Sequence, residues 1–196
     1  RYPLKVNTGS GRAMLHPLVH ENISDFQRQC FSSRFTGREF FLADHVIQGE
    51  KILPGVAYLE MAREAGVLAG RQPVVCLENV VWAQAIRVAQ EPVQVLINLQ
   101  VDEKACRFEI STGELSTDDE ANPQAPLIHA QGKLRWAESD TSDKPSTQDI
   151  SGIRARCAQH MSGADMVTRL EATGLGRAGA SFHAMTDLWF NETEAL

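Results

Sequence analysis

The chain has little with which to staple itself or hold a metal. Its four cysteines, Cys30, Cys76, Cys106 and Cys157, are widely scattered, and none forms a C-x-x-C pair. That spacing excludes a disulfide scaffold and a zinc ribbon and fits a reducing, cytoplasmic setting. The six histidines show no metal-ligand spacing. Positive charge is short, with 19 Lys and Arg against 25 Asp and Glu and a net charge of −6. No basic stripe offsets this, so a nucleic-acid surface is excluded. No apolar run approaches the length that spans a bilayer. Arg1 opens a polar segment without the apolar core of a signal peptide, and the expectation is a chain that begins inside a longer polypeptide. A dinucleotide-binding glycine fingerprint is absent, as is any internal sequence repeat.

What remains is an ordinary globular composition. With 196 residues, 43% of them hydrophobic and 22% charged, the chain can bury a real core in one domain or one and a half. Residues 1–14 read as a linker. Gln29 to Thr36 alternates and predicts a half-buried strand ended by Gly37, with Arg38 to Ala43 pairing back as the second arm of a hairpin. Gly55 to Ala69 predicts a helix apolar over so much of its surface that it must be wrapped on several sides, with Gly70 as its C-cap. Strand-like runs follow at 74–82, 93–99, 107–110 and 127–136, and Cys76 and Cys106 within them read as buried thiols. Residues 116–126 read as a solvated loop and 137–151 as a linker between lobes. Two helices are expected at 153–163 and 165–173, the second capped by Asp165, and then a strand over 181–191.

The chain is organised around residues 40–62. His45 lies just before Gly49, and Leu53-Pro54-Gly55 lies just before the long apolar helix. Pro54 suits a first helical turn, where its missing N–H has no partner to lose. Gly55 lets a ligand carbonyl approach its backbone N–H, at the positive end of the helix dipole. A histidine titrating near neutral pH and an amide facing developing negative charge suit removal of a proton alpha to a carbonyl. Gly49 permits a tight turn with positive φ. Tyr58 reads either as a wall of a substrate tunnel or as a core tyrosine.

His45, Gly49 and Pro54 spell H-x-x-x-G-x-x-x-x-P. With His16-Pro17-Leu18, Phe35-Thr36-Gly37, residues 53–62 and Glu78-Asn79-Val80-Val81-Trp82 in the same order, the chain resembles the dehydratase domain of modular polyketide synthases. Its detail is most similar to synthases whose acyltransferase is a separate protein. The resemblance implies an α+β double-hotdog fold, an antiparallel curled sheet around a long central helix. The N-terminal hotdog would run over 15–137, an inter-lobe linker over 138–152 and the start of a second hotdog over 153–196. It implies that His45 is the base acting on a 3-hydroxyacyl thioester and Gly55 the oxyanion donor, with Gly49, Pro54 and Tyr58 as substrate-binding positions. The implied partners are an acyl carrier protein, neighbouring synthase domains and a second copy of the chain. No cofactor or metal is implied.

Two departures accompany the resemblance. The family's catalytic acid sits in an Asp-x-x-x-Gln/His motif, and the chain reaches Leu196 before one occurs; Asp187 does not match it. The family's Gly-x-x-Tyr-Gly-Pro-x-Phe motif corresponds to residues 174–182, with Ala at the Tyr and Pro positions. Such loss resembles pyran-forming cyclases of the same fold, which use the histidine for oxa-Michael addition. The competing expectations are a dehydratase, a cyclase, and a non-catalytic domain kept for docking.

Overall fold

The computed structural model describes residues 14–102, 105–113, 126–137, 147–174 and 176–196. In chain order the elements are β1 (Glu21–Asn22), β2 (Gln29–Phe35), α1 (Phe40–Ala43), β3 (His45–Ile47), β4 (Glu50–Lys51) and α2 (Gly55–Gly70). Then come β5 (Val74–Trp82), β6 (Val93–Asp102), β7 (Ala105–Thr112) and β8 (Leu127–Trp136). The remainder is α3 (Ile150–Arg156), β9 (Gln159–Ser162), α4 (Gly163–Ala172), β10 (Arg177–Ala178), a 3₁₀ turn (Ala180–Phe182) and β11 (Asp187–Phe190). The expected linker over 1–14 and loop over 116–126 lie almost entirely outside the described residues; of the linker expected over 137–151, residues 138–146 lie outside them, and its end is corrected, since Ile150 and Ser151 begin α3.

Six strands form one antiparallel sheet in the order β1-β2-β6-β7-β8-β5, and α2 packs against β5, β6, β7 and β8. This is the hotdog arrangement. Its core is read most directly along one row of the sheet: Phe31 opposes Ile97, Ile97 opposes Ile110, and Ile110 opposes Ala130. All four are fully buried. Alternation along each strand puts these side chains on the face that α2 covers. The helix meets them with two adjoining stripes, Ala57-Met61-Ala65 and Tyr58-Ala62-Gly66, each at a spacing of four. The wrapping is narrower than its composition predicts, since Val56 is 69% exposed.

Small residues set the helix-to-sheet distance. A side chain on Gly66 would meet Val74 and Leu134, and the Trp136 indole N–H donates to the Gly66 carbonyl at 2.9 Å. A side chain on Gly132 would run into the Phe108 ring. All four cysteines are free; burial pushes the Cys106 thiol up to about 11, whereas Cys76 is only half-buried.

Several expectations need correction. Arg38 to Ala43 does not pair with β2, because both edges of β2 are already taken by β1 and β6. It forms a helical turn instead, steered by Glu39, whose carboxylate accepts from the Thr36 N–H at 2.9 Å and its hydroxyl at 3.0 Å. Gly70 is the last helical residue rather than the C-cap. Arg71 takes the left-handed conformation (φ 51°), and Gly70 is small because the Trp136 indole lies against it. The helix expected over 153–163 stops at Arg156, and Gln159–Ser162 pairs with Asp187–Phe190 as a strand; pairing partners far along the chain overrode local preference. Ser162, not Asp165, is the cap of α4, its hydroxyl accepting from the Asp165 N–H at 3.1 Å. The strand expected over 181–191 is confined to β11, after the 3₁₀ turn.

Two predictions follow from this packing. Gly70→Ala should destabilise the protein by about 1–3 kcal/mol despite alanine's better helix propensity, because a methyl group there displaces the Trp136 indole; a urea midpoint that rises would contradict this. His129 is 4% exposed, donates from Nδ1 to the Gln84 carbonyl and accepts the Thr112 hydroxyl at Nε2 (2.8 Å). Burial lowers its pKa from 6.5, and burial lowers that of His20 too. Both contributions are complete above the ordinary histidine range and are lost as pH falls through it toward the lowered values. The urea midpoint should therefore drop between about pH 7.5 and about pH 5.5, and drop less in His129→Gln.

Candidate active site

The site is built on the hairpin of β3 and β4. Gln48 and Gly49 form its two-residue turn, and both have positive φ, 52° and 84°, the combination that matches a tight turn to strand twist. No atom lies within 4 Å of where a Gly49 side chain would begin, so the residue is glycine for its backbone conformation. The turn sets the register: Ile47 opposes Glu50, Val46 opposes Lys51, and His45 falls beside Ile52.

The hairpin is tied down along its second arm. The Lys51 ammonium donates to the Gly37 carbonyl at 2.7 Å. The Val88 N–H donates to the Lys51 carbonyl at 2.9 Å, and the Leu53 N–H to the Ile86 carbonyl at 3.0 Å. Arg87 and Glu50 add an exposed ion pair at 2.8 Å.

His45 is half-buried, and its ring is held by the same chain segment. Nδ1 lies 2.7 Å from the Ile52 carbonyl oxygen, which can only accept, so Nδ1 carries the proton and donates. The Ile52 N–H returns a bond to the His45 carbonyl at 3.1 Å. In neutral imidazole the lone pair is thereby placed on Nε2, the nitrogen that can take a proton.

Three residues beyond Ile52 the chain becomes α2, a reach of about 10 Å at most. Pro54 is buried and serves as the N-cap (φ −58°, ψ 140°), one position earlier than a place in the first turn. It offers no side-chain cap. The Gly55 N–H finds no acceptor among the described residues, as the first helical N–H groups do not within their own helix. Gly55 is exposed, and its carbonyl accepts the Trp82 indole N–H at 3.2 Å. The link from Ile52, which holds the His45 ring, to Gly55 at the start of α2 is thus three residues long. Tyr58 stands apart: it is 2% exposed and its hydroxyl accepts from the Ile86 N–H at 2.7 Å, which gives it a place in the core.

A distant segment closes over the hairpin. β10 pairs with β3, Ala178 opposite His45 and Arg177 opposite Val46. The Phe182 ring lies 5.4 Å from the His45 ring, tilted by 37°. The Asp44 carboxylate accepts from the Ser181 hydroxyl at 2.6 Å and from its N–H at 3.0 Å. Neither Asp44 nor Phe182 was among the expected site residues. Asp44 had one visible signal, its position next to His45.

Other ionisable groups are engaged elsewhere. His160 donates to Asp187 at 2.8 Å, and that bond holds the Asp187 carboxyl below its usual range, a poor starting point for a general acid. His16, Glu60 and Glu64 form a cluster of metal-ligand composition, but Arg63 binds Glu60 at 2.7 Å and Glu64 at 2.8 Å and already supplies the positive charge. Two clefts of about 380 and 590 Å³ open on the polar side of the sheet around Asn98, Gln100 and Glu109, and His45 lines neither.

Residues 16–113 match the family model described as polyketide synthase dehydratase domain. Polyketide synthase PksM of Bacillus subtilis is 45% identical over 163 residues, covering 79% of this chain and 4% of that protein. The chain belongs to the polyketide synthase dehydratase domain family. Among solved structures, a dehydratase domain of a trans-AT synthase from Brevibacillus brevis superposes with a TM-score of 0.79 at 33% identity, over 93% of this chain and 63% of that one. A pyran synthase domain from module nine of the sorangicin pathway superposes with a TM-score of 0.72 at 29% identity, over 92% of this chain and 60% of that one. The chain therefore spans a few per cent of the curated synthase and under two thirds of these solved domains.

The ring assignment is directly measurable. In nitrogen-15 spectra recorded above the histidine titration, His45 should show a protonated Nδ1 and an unprotonated Nε2; the opposite tautomer would remove the basis for Nε2 as the base.

Proposed function

We propose that the chain carries the base-and-oxyanion half of a dehydratase. It acts on a 3-hydroxyacyl thioester borne on the phosphopantetheine arm of an acyl carrier protein. The observation that carries this reading is the Nδ1–H bond of His45 to the Ile52 carbonyl, which leaves Nε2 as the basic nitrogen. Nε2 takes the Cα proton, and the resulting imidazolium keeps its bond to Ile52, whose carbonyl dipole favours the cation. The electron pair moves onto the thioester oxygen, which the Gly55 N–H stabilises. It returns to form the Cα–Cβ double bond as the Cβ–O bond breaks. The hydroxide departs as water once an acid protonates it. Every step moves only protons, between substrate and acid or base groups, and electron pairs within the substrate, so the reaction calls for no cofactor.

In this reading Gly49 and Pro54 act on the substrate through the backbone they shape, and Tyr58 acts by packing beneath it. The setting is a cytoplasmic, multidomain synthase of the trans-acyltransferase type. The domain works beside its neighbours, a carrier protein and a second copy of itself.

A second reading is a pyran-forming cyclase. The likeness to the sorangicin pyran synthase and the alanines at 178 and 180 support it. There Nε2 would take the proton of a substrate hydroxyl, whose oxygen adds to the β-carbon of a 2-enoyl thioester; the Cα–Cβ π pair moves toward the thioester oxygen and returns to Cα, which takes a proton back.

The full polypeptide carrying the chain should convert a 3-hydroxyacyl carrier-protein thioester to a product lighter by one water, and His45→Ala should lower the rate by about 100-fold or more. A cyclase would leave that substrate unchanged. It would convert an enoyl thioester bearing a remote hydroxyl to a ring of the same mass and different retention. Unchanged turnover in His45→Ala would end both readings.

A further inference from the structure

We infer that Asp44 is a positioning residue of this site: its carboxylate, gripped by Ser181, seats residues 176–182 on the His45 strand and so fixes the wall against which the acyl chain lies. The inference rests on the proposed thioester chemistry, and it is argued from contacts that do not depend on that chemistry.

Residues 44 and 181 are joined twice through one carboxylate oxygen, by the Ser181 hydroxyl at 2.6 Å and the Ser181 N–H at 3.0 Å. A third bond runs through the backbone, from the Gly179 N–H to the Asp44 carbonyl at 2.6 Å. Asp44 thus uses its side chain and its main chain on the same incoming segment. Its carboxyl is held below the usual carboxylate range by those Ser181 bonds, so it stays charged across the working pH range.

The approach is close enough to restrict sequence. A side chain on Gly176 would meet the Val46 carbonyl oxygen at 2.8 Å, and one on Gly179 would collide with the Asp44 carboxyl group. Gly179 has φ −74°, which any residue adopts, so space alone calls for glycine there. Just past Ser181, the Phe182 ring faces the His45 ring. His45 itself is oriented from another direction, by Ile52. The clamp therefore sets the wall beside the base rather than the base.

That division gives the test. In the full polypeptide, Asp44→Ala should raise KM for the 3-hydroxyacyl carrier-protein thioester about tenfold, with kcat falling less than threefold. Ser181→Ala, an exposed change that removes one hydroxyl, should give a smaller shift in the same sense. The double variant should be no worse than Asp44→Ala alone, as expected of two residues acting as one unit. Gly179→Ala should reproduce the Asp44→Ala phenotype. In nitrogen-15 spectra the His45 tautomer should be unchanged in all four, while its ring-proton shifts move as Phe182 leaves. Amide exchange at Gly179 and Ser181 should quicken at least tenfold in Asp44→Ala.

An active wild type with unchanged KM in Asp44→Ala and Ser181→Ala would overturn the inference, as would additive effects in the double variant. A wild type inactive on every thioester would sink the proposed reaction instead. In that case unchanged exchange and ring shifts in Ser181→Ala would still count against the clamp.

Discussion

Everything at the site depends on one hydrogen bond, from Nδ1 of His45 to the carbonyl of Ile52. It chooses the tautomer, aims the ring and exists only because a two-residue turn brings 45 beside 52. That turn needs positive φ at Gln48 and Gly49, a conformation that glycine adopts without the steric cost a Cβ brings. The second arm is then pinned by Lys51 to Gly37 and by residues 86–88. A chain of ordinary backbone contacts thus ends in the placement of one imidazole nitrogen. The start of α2 follows by connectivity, three residues past Ile52.

The sequence made much of this legible, for identifiable reasons. The apolar run of α2 and the β-branched run of β5 are long and periodic, and such signals survive tertiary context. His45, Gly49, Pro54 and Gly55 stand at a spacing with a chemical reading of its own. The 45-to-52 pairing was also there to be read, since a two-residue turn at 48–49 forces 47 against 50, 46 against 51 and 45 against 52. What stayed hidden depended on partners far along the chain. Nothing local shows that β2 would already be paired on both edges, leaving 38–43 to coil into a helical turn. Nothing local at 159–162 shows that 187–190 would claim it as a strand. The Asp44 to Ser181 contact spans 137 residues, and no periodicity reaches that far.

The glycines that mattered fall into two kinds, and residue type alone did not separate them. Gly49 is present for its φ, with open space around it, whereas Gly66, Gly70 and Gly132 are present because something lies against them. Reading Gly70 as a cap assigned it to the first kind. The Trp136 indole puts it in the second, and the left-handed cap passes to Arg71. Where a large aromatic in a neighbouring strand must pass over a helix end, the smaller residue goes under it and the cap moves one position on.

The same distinction accounts for the rewritten stretch at 174–182. Alanine replaces tyrosine and proline there, which on side chains alone suggests a segment that has lost its place. Yet its backbone is attached at several points, by β10 pairing with β3, by the Gly179 N–H on the Asp44 carbonyl, and by the Ser181 N–H on the Asp44 carboxylate, which the Ser181 hydroxyl also binds. Gly176 and Gly179 lie where the two segments touch, and any side chain at either would push them apart. Attachment of this kind tolerates change at the residues between the contacts and resists it at the contacts themselves. A segment held in this way can change residue type between its contacts while Phe182 keeps its station by the histidine. The positions that hold the segment against the His45 strand are accordingly Asp44, Gly176, Gly179 and Ser181.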